Sequence, residues 1–118
     1  MRYLLLIRPD IDELPADWAP DARLEEEMGH LLEEMTKAGG LLDTAGLRPP
    51  EEGAVLRLAG GAVTVVDGPF TESKEMVGGY CLLQTRTRDE AVEWGTRFLR
   101  IHGPEWTMAL ELRELDGE

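Results

Sequence analysis

Two short runs of this sequence are apolar at every position, and they constrain the fold more than any other feature. The runs are residues 3–7 (YLLLI) and 80–83 (YCLL). Successive side chains of a strand point to opposite faces of a sheet, so a strand that is apolar at every position is buried on both faces. We therefore predict two central strands, one over residues 2–8 and one over residues 77–85.

Two amphipathic helices are predicted between and after these strands. The first spans about residues 21–37, where five apolar residues recur at helical spacing, namely Leu24, Met28, Leu31, Leu32 and Met35. The second begins at a capping box, in which the Thr87 hydroxyl accepts a hydrogen bond from the Glu90 amide while Glu90 reaches back. It runs to about residue 101.

Shorter strands complete the predicted order. They cover residues 41–47 and 106–115, and a hairpin over 54–58 and 62–66 turns at two adjacent glycines. The order β-α-β-(hairpin)-β-α-β is that of a ferredoxin-like α+β sheet with both helices on one face. Residues 1–118 contain no linker, and we expect them to form a single domain.

The second face of the predicted sheet also needs a cover. Two helices protect one face only, whereas both central strands carry apolar residues on both faces. A second subunit packing sheet to sheet would protect the other face and would make a symmetric homodimer. The hairpin folding under the sheet is the alternative, and the dimer is the preferred interpretation.

Charge and composition narrow the classes of partner. The chain carries 24 acidic and 12 basic residues, a net charge of −12, so we expect no nucleic-acid partner and no anionic membrane partner. The longest apolar runs are too short to span a bilayer or to serve as a secretory signal. A single cysteine suits a reducing compartment, and we expect a cytoplasmic protein. The sequence has no nucleotide-binding glycine loop and no zinc-binding cysteine pair, so no cofactor and no metal are expected.

Turn formers, carboxylates, a lysine and an aromatic residue converge between residues 67 and 75. Asp67 begins a tight turn, and it can also face a cleft as a proton acceptor while Phe70 packs on a ligand. Lys74 either pairs with a neighbouring acid or holds an anionic substrate. Gly78 and Gly79 fit tight packing at the start of a strand or close approach of a ligand to the backbone.

Three further residues invite a chemical interpretation. His30 projects to the polar flank of the first helix, where Glu26 and Glu34 would allow a metal site, although a solvated flank is the favoured interpretation. His102 ends the second helix, where a cation suits the helix dipole. Cys81 lies within an apolar strand and is predicted to pack rather than to react.

The central motif resembles that of a known family. Residues 67–70 (DGPF), Glu72, 74–75 (KE) and 78–80 (GGY) resemble the signature of the DGPF-type proteins within the YCII-related family. Residues 1–7 (MRYLLLI) are similar to the opening strand of that family, and residues 89–94 (DEAVEW) to its second helix. The resemblance covers nearly the whole chain.

The resemblance implies a ferredoxin-like fold that dimerises as an α/β barrel. It also implies small-molecule chemistry in a cleft, carried by a His and an Asp, for which Asp67 and His30 are the candidates. The ligand-binding candidates are Phe70, Lys74, Gly78, Gly79 and Tyr80. One branch is similar to enzymes that remove chloride from chlorinated aromatics, and DGPF-type proteins are often linked with alternative sigma factors.

Two hypotheses follow, and whether the protein is an enzyme stays open. In the first, a small dimeric protein binds a small organic molecule near the DGPF loop and acts on it by acid–base, lyase-like or hydrolase-like chemistry. In the second, the protein is a non-enzymatic regulatory or protein-interaction module associated with an alternative sigma factor. Fold alone does not separate them.

Overall fold

The computed structural model describes residues 1–9, 22–68, 77–104 and 106–117. The strands are β1 (Arg2–Pro9), β2 (Leu41–Gly46), β3 (Ala54–Ala59), β4 (Ala62–Asp67), β5 (Gly79–Gln84) and β6 (Met108–Glu114). The helices are α1 (Ala22–Lys37) and α2 (Arg88–Arg100), and a short 3-10 helix covers Pro50–Glu52. The predicted first residue of this helix, Asp21, lies outside the described residues.

The strands form one antiparallel sheet and one separate hairpin. The sheet order is β2-β5-β1-β6, and β3 pairs with β4 in a two-stranded sheet. With the hairpin left aside, this is the β-α-β-β-α-β order of a ferredoxin-like α+β fold, as predicted. β1 and β5 each have a strand on both sides, so the prediction of two central strands is confirmed.

One face of the sheet carries the core. Tyr3, Leu5, Cys81 and Leu83 are at most 3% exposed, and they pack with apolar residues of both helices, namely Leu31, Met35, Ala91 and Phe98. α2 packs on the sheet at Gly95, where a Cβ would lie at ordinary contact distance, 3.5 Å, from Cδ1 of Leu110. Both helices therefore cover the same face.

The cap of α2 follows the predicted pattern with one difference. The Thr87 hydroxyl accepts a hydrogen bond from the Glu90 amide at 3.1 Å. The Glu90 carboxylate reaches back to the amide of Arg86, at 3.4 Å, rather than to the amide of Thr87. Satisfying these otherwise unpaired donors fixes where the helix begins.

The opposite face of the sheet is open among the described residues. Leu4, Leu6, Tyr80 and Leu82 alternate with the core residues and are only half-buried. The hairpin does not lie beneath them, because all its residues except Val55 are exposed and the chain is only 18 Å across in its thinnest direction. The alternative in which the hairpin folds under the sheet is therefore wrong.

Over the described ranges, neither α1 nor α2 has the length and apolar character needed to cross a membrane.

Candidate functional site

The hairpin of β3 and β4, which we call the arm, presents an apolar side that ends in a carboxylate. Cross-strand pairing joins Ala54 to Asp67, Leu56 to Val65 and Leu58 to Val63. These pairs are two residues apart, so their side chains share one side of the arm. We call this side, made of Leu56, Leu58, Val63, Val65 and Asp67, the arm face.

The arm face is open to solvent. Leu56, Leu58, Val63 and Val65 are 68%, 75%, 64% and 61% exposed, and Asp67 is exposed as well. Gly60 and Gly61 form the turn at the tip. Both have positive φ, which a two-residue type I′ hairpin turn requires at its two central positions. An exposed apolar strip with one acidic end is the chemical character of a binding surface.

The base of the arm is tied to the segment after β2. The Gly68 amide donates to the Gly53 carbonyl at 2.9 Å, and a Cβ on Gly68 would lie 1.9 Å from the Pro50 carbonyl oxygen. The Leu47 amide donates to the Gly78 carbonyl, also at 2.9 Å. Gly68 and Gly78 are therefore both tied to the segment from residue 47 to residue 53.

Close packing explains the two glycines at the start of β5. A Cβ on Gly79 would lie 2.8 Å from the Ala45 carbonyl oxygen, and a Cβ on Gly78 would lie 3.1 Å from the Pro9 ring. Larger residues would push β5 away from its neighbours. The approach of a ligand to these glycines stays a prediction.

Tyr80 lies on the open sheet face, and it forms a hydrogen bond with Asp43, a residue that was not predicted from the sequence. Its hydroxyl donates to Oδ2 of Asp43 at 2.8 Å, and the Thr44 amide donates to Oδ1 at 2.9 Å. The hydrogen bond to the Asp43 carboxylate raises the pKa of Tyr80. An aspartate inside a strand is disfavoured, and this signal in the sequence could have singled out Asp43.

His30 lies in a groove between the two helices. The groove has a volume of about 320 Å³ and is lined by Glu27, His30, Leu31, Glu34, Arg97, Arg100 and Ile101. Arg97 forms an ion pair with Glu34 across the groove, and the hydrogen bond from Arg97 lowers the pKa of Glu34. His30 is exposed, as predicted from its position on the polar flank of α1.

Comparison with known proteins identifies the family. The family model described as the YCII-related domain matches residues 1–98. The chain belongs to the YCII-related family. The chain is similar to an uncharacterised protein of Rhizobium meliloti (strain 1021). The two are 31% identical over 96 residues, and the aligned part covers 80% of this chain and 77% of the relative. The match includes β1, α1, the arm and β5, so the predicted resemblance is confirmed.

The two predicted acid–base residues of this YCII-related protein occupy different places. His30 lies in the helix groove, whose lining does not include Asp67. Tyr80 points to the open face, which is the side of the sheet away from both helices. Among the described residues, no cluster of three or more His, Cys, Asp or Glu side chains is arranged to hold a metal ion. Phe70 and Lys74 lie outside the described residues.

His102 differs from its predicted role in the YCII-related chain. It is only 6% exposed, with its ring between those of Phe98 and Trp106. Nδ1 is 2.9 Å from the Phe98 carbonyl, which only accepts, so Nδ1 carries the proton. Burial lowers the pKa of His102, so the prediction of a cation at the helix end is wrong.

Cys81 is fully buried, and its Sγ lies 3.3 Å from the Thr44 hydroxyl. Burial raises the pKa of the thiol, which keeps it protonated and unreactive. The prediction that Cys81 packs in the core is confirmed.

Proposed function

We propose that this YCII-related protein is a homodimer that binds a small organic molecule at the base of the arm, beside the DGPF loop. The observation that carries the proposal is the arm face, where Asp67 ends a strip of four exposed apolar side chains. Ligand sites are mostly apolar walls with few polar groups that orient the ligand. The arm face has an apolar wall and one polar group, Asp67. A second surface opposite the arm face would complete a cleft.

The chemistry of the arm face defines the class of ligand. A molecule with an apolar body and one hydrogen-bond donor or cationic group would lay its body on Leu56 and Val65 and direct its polar end at Asp67. Anionic molecules are disfavoured by the net charge of −12, unless the charge of Lys74 compensates. Phe70, Gly78, Gly79 and Tyr80 are the other residues expected near the ligand.

Acid–base chemistry at this site would depend on Asp67. An exposed carboxylate at the end of an apolar strip is a suitable proton acceptor once a ligand excludes water from it. Tyr80 already donates its one hydroxyl proton to Asp43, which raises its pKa, so its oxygen would accept a hydrogen bond from a ligand. His30 lies in the helix groove, and the proposal does not use it for proton transfer.

The proposal is tested by native mass spectrometry of the protein as purified and of two variants. The wild type is expected as a dimer that carries extra mass of metabolite size. Asp67→Asn is expected to lose that mass, because the amide cannot accept a proton or pair with a cation, while His30→Gln keeps it. Retention of the extra mass in Asp67→Asn, or its absence from the wild type, would overturn ligand binding at Asp67.

A second candidate is the non-enzymatic protein-interaction module associated with an alternative sigma factor. The exposed apolar arm face favours it, because such strips also bind other proteins. This candidate predicts a dimer without bound metabolite and a specific protein partner captured with the wild type. Capture that is lost in Val65→Asp and kept in Asp67→Asn would favour it over ligand binding.

A further inference from the structure

The groove between α1 and α2 is a concave surface separate from the arm face. Its walls come from the two helices, and its base is apolar, because Leu31 is buried in the core and Ile101 packs against the core. Its volume of about 320 Å³ lies at the small end of the range for ligand pockets. The groove therefore has room for a molecule with one ring.

Both carboxylates that line the groove already have basic partners. Glu27 forms an ion pair with Arg23, which also donates to the Ile101 carbonyl at 3.3 Å. Glu34 forms an ion pair with Arg97, which reaches it from the opposite helix. The negative charge of the groove is thus compensated by arginines of the same chain.

The two arginines of α2 that line the groove differ in their contacts. Arg97 is held by Glu34, its guanidinium lies 5.1 Å from the centroid of the Trp94 ring, and the charge of Glu93 also attracts it. Arg100 is exposed and forms no ion pair with any residue of the described ranges. Arg100 therefore brings an uncompensated positive charge to the groove of a chain whose net charge is −12.

His30 lines the groove from the facing helix, α1. It is exposed, and its ring makes no hydrogen bond to another residue in the part of the chain that the structure describes. A neutral imidazole has one N–H donor, and a guanidinium presents its N–H groups as a fork that matches a carboxylate. Arg100 and His30 thus offer donors to an anion from the two walls of the groove.

We infer that the groove between α1 and α2 binds a small organic carboxylate, with its charged group on Arg100 and His30 and its apolar body on Leu31 and Ile101. This site is independent of the one proposed at Asp67 and takes the opposite kind of ligand. Four of its lining side chains are exposed, so a bound molecule stays partly in solvent. A one-ring carboxylate is therefore expected to bind with a dissociation constant on the order of 1 mM, too weakly to be retained during purification.

The test uses cyclohexanecarboxylate as the probe and the amide NMR signals of the ¹⁵N-labelled chain as the readout. Saturable shifts are expected at Leu31 and Ile101. Cyclohexanecarboxamide has the same shape without the charge, and it should bind at least about 5-fold more weakly, because it cannot form a charge-assisted pair with the guanidinium. Equal affinity for the acid and the amide, or shifts that spare the groove, would overturn the inference.

Arg100→Gln tests the cation directly. The dissociation constant for cyclohexanecarboxylate should rise at least about 5-fold, because the charged partner is lost. Arg57→Gln is the matched control, since it removes the same charge from the side of the arm opposite the arm face, and it should change the constant by less than about 2-fold. An unchanged affinity in Arg100→Gln, or an equal loss in both variants, would overturn the inference.

Two variants of α1 test the facing wall. Glu34→Gln releases Arg97 from its ion pair, and the second available cation should make binding of the probe about 3-fold tighter. Simple damage to the groove would weaken binding instead, and that result would contradict the inference. His30→Leu removes the ring N–H and should weaken binding about 3-fold, and an unchanged affinity would remove His30 from the site.

Asp67→Asn separates this site from the one at the arm. It should leave the binding of cyclohexanecarboxylate unchanged, because Asp67 does not line the groove. Loss of binding in Asp67→Asn would place the carboxylate at the arm and overturn the groove site. Failure of the groove site in the tests above would leave the proposed function at Asp67 standing, since that proposal does not use the groove.

Discussion

The sheet with its helices and the arm use the same kinds of residue in opposite ways. In the body, Leu5 and Leu83 are almost completely buried beneath α1 and α2. In the arm, Leu56 and Leu58 have the same side chain and stand in solvent. The difference separates the part of the chain that stabilises its own fold from the part that is available for binding. Mutations should therefore affect stability in the body and association in the arm.

The largest expected effect contrasts Leu83 with Leu58. Leu83→Ala leaves a cavity in the core and should lower the free energy of unfolding by about 2–5 kcal/mol. Leu58→Ala should change it by about 0.5 kcal/mol or less under monomeric conditions, because little apolar area is lost from the interior. Urea unfolding at low protein concentration measures both. Equal destabilisation would mean that the arm is covered within its own chain.

The base of the arm provides the second prediction. Gly68→Ala should cost about 1–3 kcal/mol of unfolding free energy, because its Cβ would collide with the Pro50 backbone carbonyl and displace the arm. Gly46→Ala is the control, since a Cβ there meets no atom within 4 Å. The same urea experiment compares them. A Gly68→Ala protein as stable as Gly46→Ala would show that the arm is not fixed at its base.

The third prediction concerns pH and the buried His102. Because its pKa is lowered in the folded state, the unfolded chain binds the proton first as pH falls. Its contribution to stability is therefore complete above the ordinary histidine pKa, near 6.5, and is lost below it, with a slope no steeper than about 1.4 kcal/mol per pH unit. Unfolding measured between pH 7.5 and 5 should show this loss in wild type and in His30→Gln.

His102→Gln is the variant that checks the assignment, because it removes the titrating ring from the core. Its stability should be lower at neutral pH but flatter over the same pH range. A pH dependence identical to that of wild type would show that His102 does not titrate differently in the folded and unfolded chain.

The smallest expected effect lies in the helix groove. Glu34→Gln breaks the exposed ion pair with Arg97, and exposed pairs contribute about 0–1 kcal/mol. Stability should change within that range, and less so at high salt. Retained metabolite should be unaffected, because the groove is separate from the arm. Loss of the metabolite in Glu34→Gln would move the ligand site from Asp67 to the groove.

Periodicity in the sequence predicted the body of the fold well. Local spacing in the sequence is enough to predict three features that the structure contains. These are the strands β1 and β5 with apolar residues on both faces, the apolar face of α1 and the Thr87 cap of α2. The role of His102 was mispredicted because its burial depends on Phe98 and Trp106 folding around it. Chain position alone indicated only the end of a helix.

The candidate site was predictable only in part. Asp67 stood out through its turn, but its place on the arm face depends on the register of β3 against β4. Asp43 was missed because its partner, Tyr80, is 37 residues away and reaches it only through the pairing of β2 with β5. Contacts between distant strands follow from topology, which local patterns do not specify.

Small-angle X-ray scattering of the unmodified protein tests the central claim, that the protein is a homodimer. One chain has a mass of 13.2 kDa, a radius of gyration of 16.2 Å and extents of 46 × 42 × 18 Å. The account predicts twice that mass and a particle clearly thicker than 18 Å. Scattering from a single chain, with a radius of gyration near 16.2 Å at concentrations well above micromolar, would contradict it.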